Sequence, residues 1–341
     1  LIPLRFYRVI NLLLIAAFLS CNSSEKENSL ILEKAKSYPR WLKTNEYAGE
    51  QTSGIAFIGS YENKKTFLLA DDIGKIDRLI IKDDSLFIIN PIHFSKEVIA
   101  FLDTFPKPDF EEIFFDKYTN NVYLSIEGNG DEPEKYARLY KVKFLNNDFK
   151  ADTIVSIIKL NFKPEELLNK YVKLNIAYEG ATADKNYFYL GLEGFSEENV
   201  FTDSTIIFII DKNNYQVVKE ISTWELGIHT ICGLYSDKDF SLYGIDRNNK
   251  KMFHILFDKE LNIVNYSSII LDTNIPNYPS INYVSALESI TIDDDNWVYL
   301  IDDPWKEYFI PPEEILKELD EETIKNFEHF VPVISRYKLK N

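Results

Sequence analysis

The chain has 341 residues, 45% of them hydrophobic, with 54 Asp and Glu against 38 Lys and Arg, a formal charge of −16. Two cysteines exclude a disulfide scaffold, the apolar content excludes a disordered chain, and the acidic balance excludes a protein that tracks nucleic-acid phosphates by displacing counterions. Cations and basic groups are the expected partners, and 21 Tyr and 24 Phe beside many Ile and Val favour one large all-β domain.

In chain order, Arg5 and Arg8 precede an apolar run over residues 12–19, too short to cross about 30 Å of hydrocarbon and laid out like a secretory signal. The run ends at Phe18-Leu19-Ser20-Cys21, which resembles the lipobox of bacterial lipoproteins except that Phe18 stands where Leu is usual. This predicts a signal peptide at 1–20, lipidation of Cys21, a polar tether at 21–29 and the folded domain at 30–341. The anchor places the protein in the envelope of a Gram-negative bacterium, held to the outer membrane. An ordinary signal peptide cut elsewhere is the alternative. With Cys21 acylated, Cys232 has no partner for an intramolecular disulfide.

Five copies of one unit follow. They start at Ser53-Gly54-Ile55, Glu111-Glu112-Ile113, Glu179-Gly180-Ala181, Cys232-Gly233-Leu234 and Glu288-Ser289-Ile290, and successive starts lie 58, 68, 53 and 56 residues apart. Each start leads through a polar turn into a second strand such as Thr66-Phe67-Leu68-Leu69 or Trp297-Val298-Tyr299-Leu300, the signature of a β-hairpin. Most continue into a third strand. Three or four strands in about 55 residues, repeated, is the content of a propeller blade. The expectation is a β-propeller of five or six blades, a sixth being hidden in the weakly patterned segments 80–105 or 255–282. Residues 30–48 and the final strand 333–339 are expected to complete one blade together.

Two stretches break the rhythm. Residues 164–172 read as a short helix with acids in its first turn, and residues 312–330 as a longer one within a helical insert at 306–332, packed on the propeller or serving as a lid or partner surface.

Each unit also carries a second acid. Hairpins symmetric about Asn186 and Asp295 set Glu179 against Glu193 and Glu288 against Asp302, and Glu111 and Glu127 are centred on Thr119. Asp71 and Asp246 close the units that open with Ser53 and Cys232. Like charges facing each other across strands are destabilising, so their recurrence calls for an explanation. Equivalent positions in successive blades share a height and radius, which makes these acids converge on the axis. A hard cation such as Ca²⁺, held by Glu111, Glu179, Glu193, Glu288 and Asp302, would neutralise them; solvated acids capping turns are the plain alternative.

These units, each followed by a strand ending in Asp or Glu, resemble the repeats of the SdiA-regulated propeller family and are similar to the related family labelled esterase-like activity of phytase. The resemblance spans residues 50–340. It implies a propeller with an acidic central face that holds calcium, most clearly at Glu179 with Glu193 and Glu288 with Asp302. Glu112 and Ser289 depart from it by standing where Gly is usual, as does the insert.

Other catalytic signals are weak. His93, His229, His254 and His329 have no zinc-like spacing, and no Gly-x-Ser-x-Gly elbow or phosphate-cradling loop is present. Asp293-Asp294-Asp295-Asn296 reads as a hairpin turn rather than a calcium loop, and Cys232 as a small residue near the axis. Trp297 and Trp305 bracket the acidic end of the fifth unit. The functional expectation is a ligand-binding or scaffold protein for a small molecule or a protein, with no nucleic-acid partner. A calcium-dependent phosphate or ester hydrolase and a protein-interaction module of an envelope complex are the alternatives.

Overall fold

Five sheets, antiparallel but for the edge strand His93–Phe94 of blade 2, which runs parallel to Thr153–Lys159, surround one axis in the computed structural model, which describes residues 30–340 except 46, 50, 198–199, 284 and 303–309. The signal, Cys21, the tether and Trp305 lie outside the described residues.

The inner strands of blades 1 to 5 are Thr52–Tyr61, Asp109–Asp116, Gly180–Ala183, Gly233–Tyr235 and Leu287–Ile292. Each touches the next, and the fifth touches the first, which closes the ring. Outward from them run the second strands Lys64–Asp71, Asn121–Glu127, Tyr187–Gly191, Ser241–Asp246 and Trp297–Asp302, then third and fourth strands. Blade 5 is completed from both chain ends: Ile31–Lys34 pairs antiparallel with Val333–Lys340, Ile31 facing Lys340 and Lys34 facing Tyr337. No helix among the described residues is long and apolar enough to cross a membrane.

Successive side chains of a strand point to opposite faces, so each blade must bury both faces against its neighbours. The strand Lys64–Asp71 shows how the sequence meets this demand. Phe67 and Leu69 pack with Tyr299 and Ile301 of blade 5, while Leu68 and Ala70 pack with Phe110 and Ile113 of blade 2. In the same way Tyr189 faces blade 4, whereas Phe188 and Leu190 face blade 2. Second strands therefore read as continuous apolar runs rather than alternating ones.

The segments expected to hide a sixth blade hold outer strands instead. Leu86–Pro91 is the fourth strand of blade 1, and Ile263–Ile270 that of blade 4, followed by a small hairpin of Asn274–Ile275 with Tyr278–Asn282. Outer strands have little to cover them, so their apolar pattern is sparse. An unforeseen helix α1, Lys96–Leu102, starts at Ser95, whose side chain accepts from the Val98 amide. Helix α2, Glu165–Asn169, is shorter than expected, with Pro164 at its N-cap. The insert lies between the second and third strands of blade 5 and holds α3, Glu313–Leu316, and α4, Glu321–Glu328, separated because the Asp320 side chain caps α4 through the Thr323 amide. Leu319 and Phe327 are buried with Trp41, Ile275, Tyr283 and Val331, which fixes the insert to the propeller.

Candidate functional site

The opening residues of the five units do share one end of the axis. Just inside them, at the next position, stand Gly54, Glu112, Gly180, Gly233 and Ser289. Three of them are glycine because the inner strands crowd one line: a Cβ on Gly54 would lie 2.7 Å from Glu111 O and Ile113 N, and one on Gly233 2.8 Å from Ser289 Cα.

Three of the opening residues are aimed by irregularities of the ladder. In blade 2 the facing pairs run Asp109 to Glu127, Phe110 to Ile126, then Ile113 to Leu124, so Glu111 and Glu112 lie in a bulge. In blade 5 Leu287 faces Asp302 and Ser289 faces Ile301, with Glu288 bulged, and Ser53 is bulged between Thr52 and Gly54 in blade 1. An extra residue re-aims its side chain. The facing pairs expected from hairpin symmetry are therefore displaced: Glu127 faces Asp109 and not Glu111, and Asp302 faces Leu287 and not Glu288. In blade 3 Gly180 faces Gly191, which leaves Glu179 and Glu193 offset just beyond the ladder rather than opposed.

The structure gathers Glu179, Glu193 and Glu288 around Arg247, in the loop after the second strand of blade 4. Its Nη1 donates to Glu288 Oε1 and its Nη2 to Glu193 Oε1, and Glu179 Oε2 lies 3.8 Å from Nη1. A planar guanidinium fits this role because it donates in several directions at once. The chain thus supplies a cation of its own to these carboxylates. Burial and then Glu193 raise Glu179 well above the usual carboxylate range, against the pull of Arg247. Burial raises Glu288 to about 7, again opposed by Arg247.

Next to this group is a second one. Ligand oxygens of Asp109, Glu111 and Glu127 lie within 4.8 Å of one another. Lys107 Nζ contacts both Asp109 oxygens, at 2.8 and 2.9 Å, and Asn129 Nδ2 donates to Asp109 and, at 3.3 Å, to Glu127. Burial, then Asp109 and Glu193, raise Glu127 to about 8. Glu111 is also held well above the usual range, by burial and then by Glu179, Glu127, Asp109 and Glu288. Among the described residues no hydrogen bond reaches its carboxyl group.

Asp302 stands apart from both groups, accepting from Tyr283 Oη at 2.8 Å and from Ser285 Oγ. Asp246 organises its own loop, accepting from the amides of His229 and Thr230 and from Asn249 Nδ2 at 2.7 Å. Asp71 is buried, with its carboxyl pushed up by burial and by Asp77. Sequence reasoning missed Arg247, Lys107, Asp109 and Glu112; the first directly follows the repeated closing acid Asp246, the only signal that marked it.

Remaining candidates have structural roles. Asp293 Oδ1 accepts from the amides of Asp295 and Trp297, both at 2.9 Å, as a hairpin turn does. Burial lifts the Cys232 thiol well above its ordinary value, which keeps it protonated. His254 stacks on Tyr243 with centroids 4.1 Å apart and is lowered to about 4 by burial. Trp297 lies under the Arg336 guanidinium at 4.0 Å.

No family model matches the sequence, and no curated protein matches it. In structure, the chain is similar to the GH43_1 enzyme from Xanthomonas citri, solved in complex with xylose, at TM-score 0.50 and 7% identity over 88% of this chain and 89% of that one. It is also similar to the PQQ-bound aldose sugar dehydrogenase from Streptomyces coelicolor, at TM-score 0.44 and 10% identity over 90% of this chain and 100% of that one. At 7% identity the likeness to the GH43_1 enzyme is one of fold alone.

Proposed function

We propose that this protein is a ligand-binding β-propeller of SdiA-regulated type, anchored in the bacterial envelope through lipidated Cys21, whose acidic axial face binds a divalent cation or a ligand carrying one. The observation that carries this reading is Glu111: its carboxyl has no hydrogen-bond partner among the described residues, yet it stands within ligand distance of Asp109 and Glu127. An all-oxygen donor set suits Ca²⁺ better than a transition metal. Glu179, Glu193 and Glu288, already gathered on the single charge of Arg247, form the neighbouring wall, so a cation seated on them as well would displace the guanidinium. Asp302, buried and held by Tyr283 and Ser285, is outside both donor sets.

A calcium-dependent hydrolase is the second reading, favoured by Glu127. A carboxyl group held to about 8 without a bound ion keeps its proton at neutral pH, and it would serve as a general acid only where the metal rests on Asp109 and Glu111 and leaves Glu127 free. When bound, the metal would polarise the scissile bond. The interaction-module reading has less support, because the apolar side chains of the insert pack against the propeller.

Melting the protein with and without millimolar calcium tests the proposal. A ligand selective for the folded state raises the melting temperature by mass action. The wild type is expected to gain several degrees and Glu111→Gln to lose most of that gain; an unmoved wild type would sink the cation site. Incorporation of a palmitate analogue that depends on Cys21 tests the anchor, and hydrolysis of a phosphate or ester substrate only in calcium would favour the second reading.

A further inference from the structure

Blade 4 ends in the strand Ile263–Ile270, and among the described residues no strand pairs with its outer side. Natural sheets blunt such edges by shortness, charge, proline or cover, and the other blades do so. The edge of blade 1, Leu86–Pro91, ends in proline, and that of blade 2 is the two-residue His93–Phe94. In blade 3 the edge Val217–Ser222 carries Lys219 and Glu220, and the Val217 amide donates to Lys163 O at 2.8 Å. The edge of blade 5, Ile31–Lys34, is four residues long and ends in Glu33 and Lys34. Blade 4 has none of these devices: its eight residues include no charge and no proline, and Val264 and Ile270 are 62% and 70% exposed. A bulge at Val264 leaves residues 265–270 in unbroken register with residues 251–256.

The main-chain groups of successive residues in an antiparallel strand point to opposite sides. The Leu271 amide donates inward, to Lys250 O at 2.8 Å, so those of Tyr266, Ser268 and Ile270 point outward. A partner strand must answer them with outward-pointing groups of its own, and this strand does so for itself. A two-fold axis at Ser267 sets Tyr266 opposite the partner's Ser268 and Ser268 opposite the partner's Tyr266, each pair exchanging main-chain hydrogen bonds. It also brings the exposed Ile270 against the partner's Val264. Charge agrees with this arrangement. The Lys219 ammonium lies 2.9 Å from Asn262 Oδ1 at one end of the strand, and the axis carries it toward the exposed Asp272 beyond the other end. Two copies of charge −16 repel over most of their surface, so an uncharged edge with opposite charges at its ends is where they meet.

We infer that Ile263–Ile270 pairs antiparallel with the same strand of a second copy, joining two four-stranded blades into one continuous sheet across an isologous contact. The contact is on the outer edge of blade 4 and does not depend on the axial cation site.

Sedimentation velocity of the full chain tests the inference. A contact of this length is smaller than a permanent interface needs, so the chain is expected to be monomeric at about 5 μM and half dimeric at about 200 μM. Ser268→Pro removes a donor that the monomer does not use, and Ser268→Lys sets like charges beside the axis; each should weaken association about tenfold with an unchanged circular dichroism spectrum. Should proline disturb the fold, Ser268→Lys decides alone. Hydrogen exchange over residues 263–270, read by mass spectrometry, should slow at the higher concentration in the wild type and not in the variants. A wild type that stays monomeric, association that survives Ser268→Lys, or exchange in this strand that is the same at both concentrations would each overturn the inference. Slowed exchange on adding an extended peptide of foreign sequence, with the chain itself monomeric, would assign the edge to another protein and overturn it too.

Discussion

Ser289 Oγ donates to Glu112 Oε1 at 2.7 Å and accepts from the Ile55 amide at 3.0 Å, so that one hydroxyl links blades 5, 2 and 1 across the axis. These two residues stand where the other three blades have glycine, and the space left by those glycines is what the Glu112 carboxyl fills. Glu112 Oε1 also accepts from the Ile113 amide, and burial holds the group well above the usual carboxylate range. Glu112 thus plugs the axis between the two ends of the propeller, in surroundings that favour its neutral form.

Ser289→Ala should therefore cost about 2 kcal/mol, because it strips a buried amide and a buried carboxyl of a partner together. Glu112→Gln should cost less than about 1 kcal/mol, since an amide keeps the acceptor and a protonated acid has no charge to lose. Urea midpoints for the two variants check both values. A Glu112→Gln variant as damaged as Ser289→Ala would mean that the carboxyl is ionised.

Replacing Arg247 by Met should be severe and dependent on pH. Removing one partner of a buried ion pair leaves an uncompensated charge, at a cost of about 3–5 kcal/mol. Here Glu179, Glu193 and Glu288 would be left together. Protonation relieves that repulsion, so the loss measured by denaturation should be largest near pH 8 and clearly smaller near pH 5. A loss that is the same at both would show that Arg247 acts through packing alone.

The wild type itself should lose stability as pH rises. Glu127, Glu288 and Asp302 have folded-state values of about 8, 7 and 7, all above those of an unfolded chain. Between about pH 4.5 and 8 the folded state holds more protons than the unfolded one, which makes the slope of stability with pH negative. Without divalent cations, the melting temperature should fall across this window. Millimolar calcium should flatten the decline if it binds the carboxylates, and a melting temperature that rises from pH 5 to pH 8 without calcium would contradict the shifts.

What the sequence disclosed and what it hid follow from where each signal arises. The inner hairpins were legible because both faces of their second strands are buried, which forces runs such as Phe67-Leu68-Leu69-Ala70. Outer strands such as Ile263–Ile270 bury little and kept no period, so their segments suggested a sixth blade. The convergence of Glu111, Glu179 and Glu288 was also legible, being a repeat. Bulges at Ser53, Glu111–Glu112 and Glu288 were not, since one extra residue leaves no mark in composition yet changes which residues face each other. Arg247 was hidden for a further reason: it occurs once, in a loop, and its importance appears only when three blades bring their acids to it.

The closure of blade 5 offers the last test. Val333–Lys340 pairs with Trp297–Asp302 on one side and with Ile31–Lys34 on the other. Leu30 and Leu32 pack against the cluster between blades 4 and 5, and Glu33 reaches Lys340 at 2.7 Å. The ion pair is exposed and worth little, so the apolar contacts and the ladder must hold the strand. Deleting residues 1–35 should lower stability by about 3 kcal/mol, or about 6 °C for a chain of this size, from the lost burial of two leucines. It would also leave residues 335–340 as an open edge, Val333 and Ile334 staying paired with Trp41 and Arg40, and such an edge invites pairing with another chain. Calorimetry should show the lower melting point, and light scattering should show self-association. A peptide of residues 30–37 supplied in excess should restore both, because it refills the edge by mass action. A truncated protein that melts like the full chain and stays monomeric would show that the ring is held by its inner strands alone.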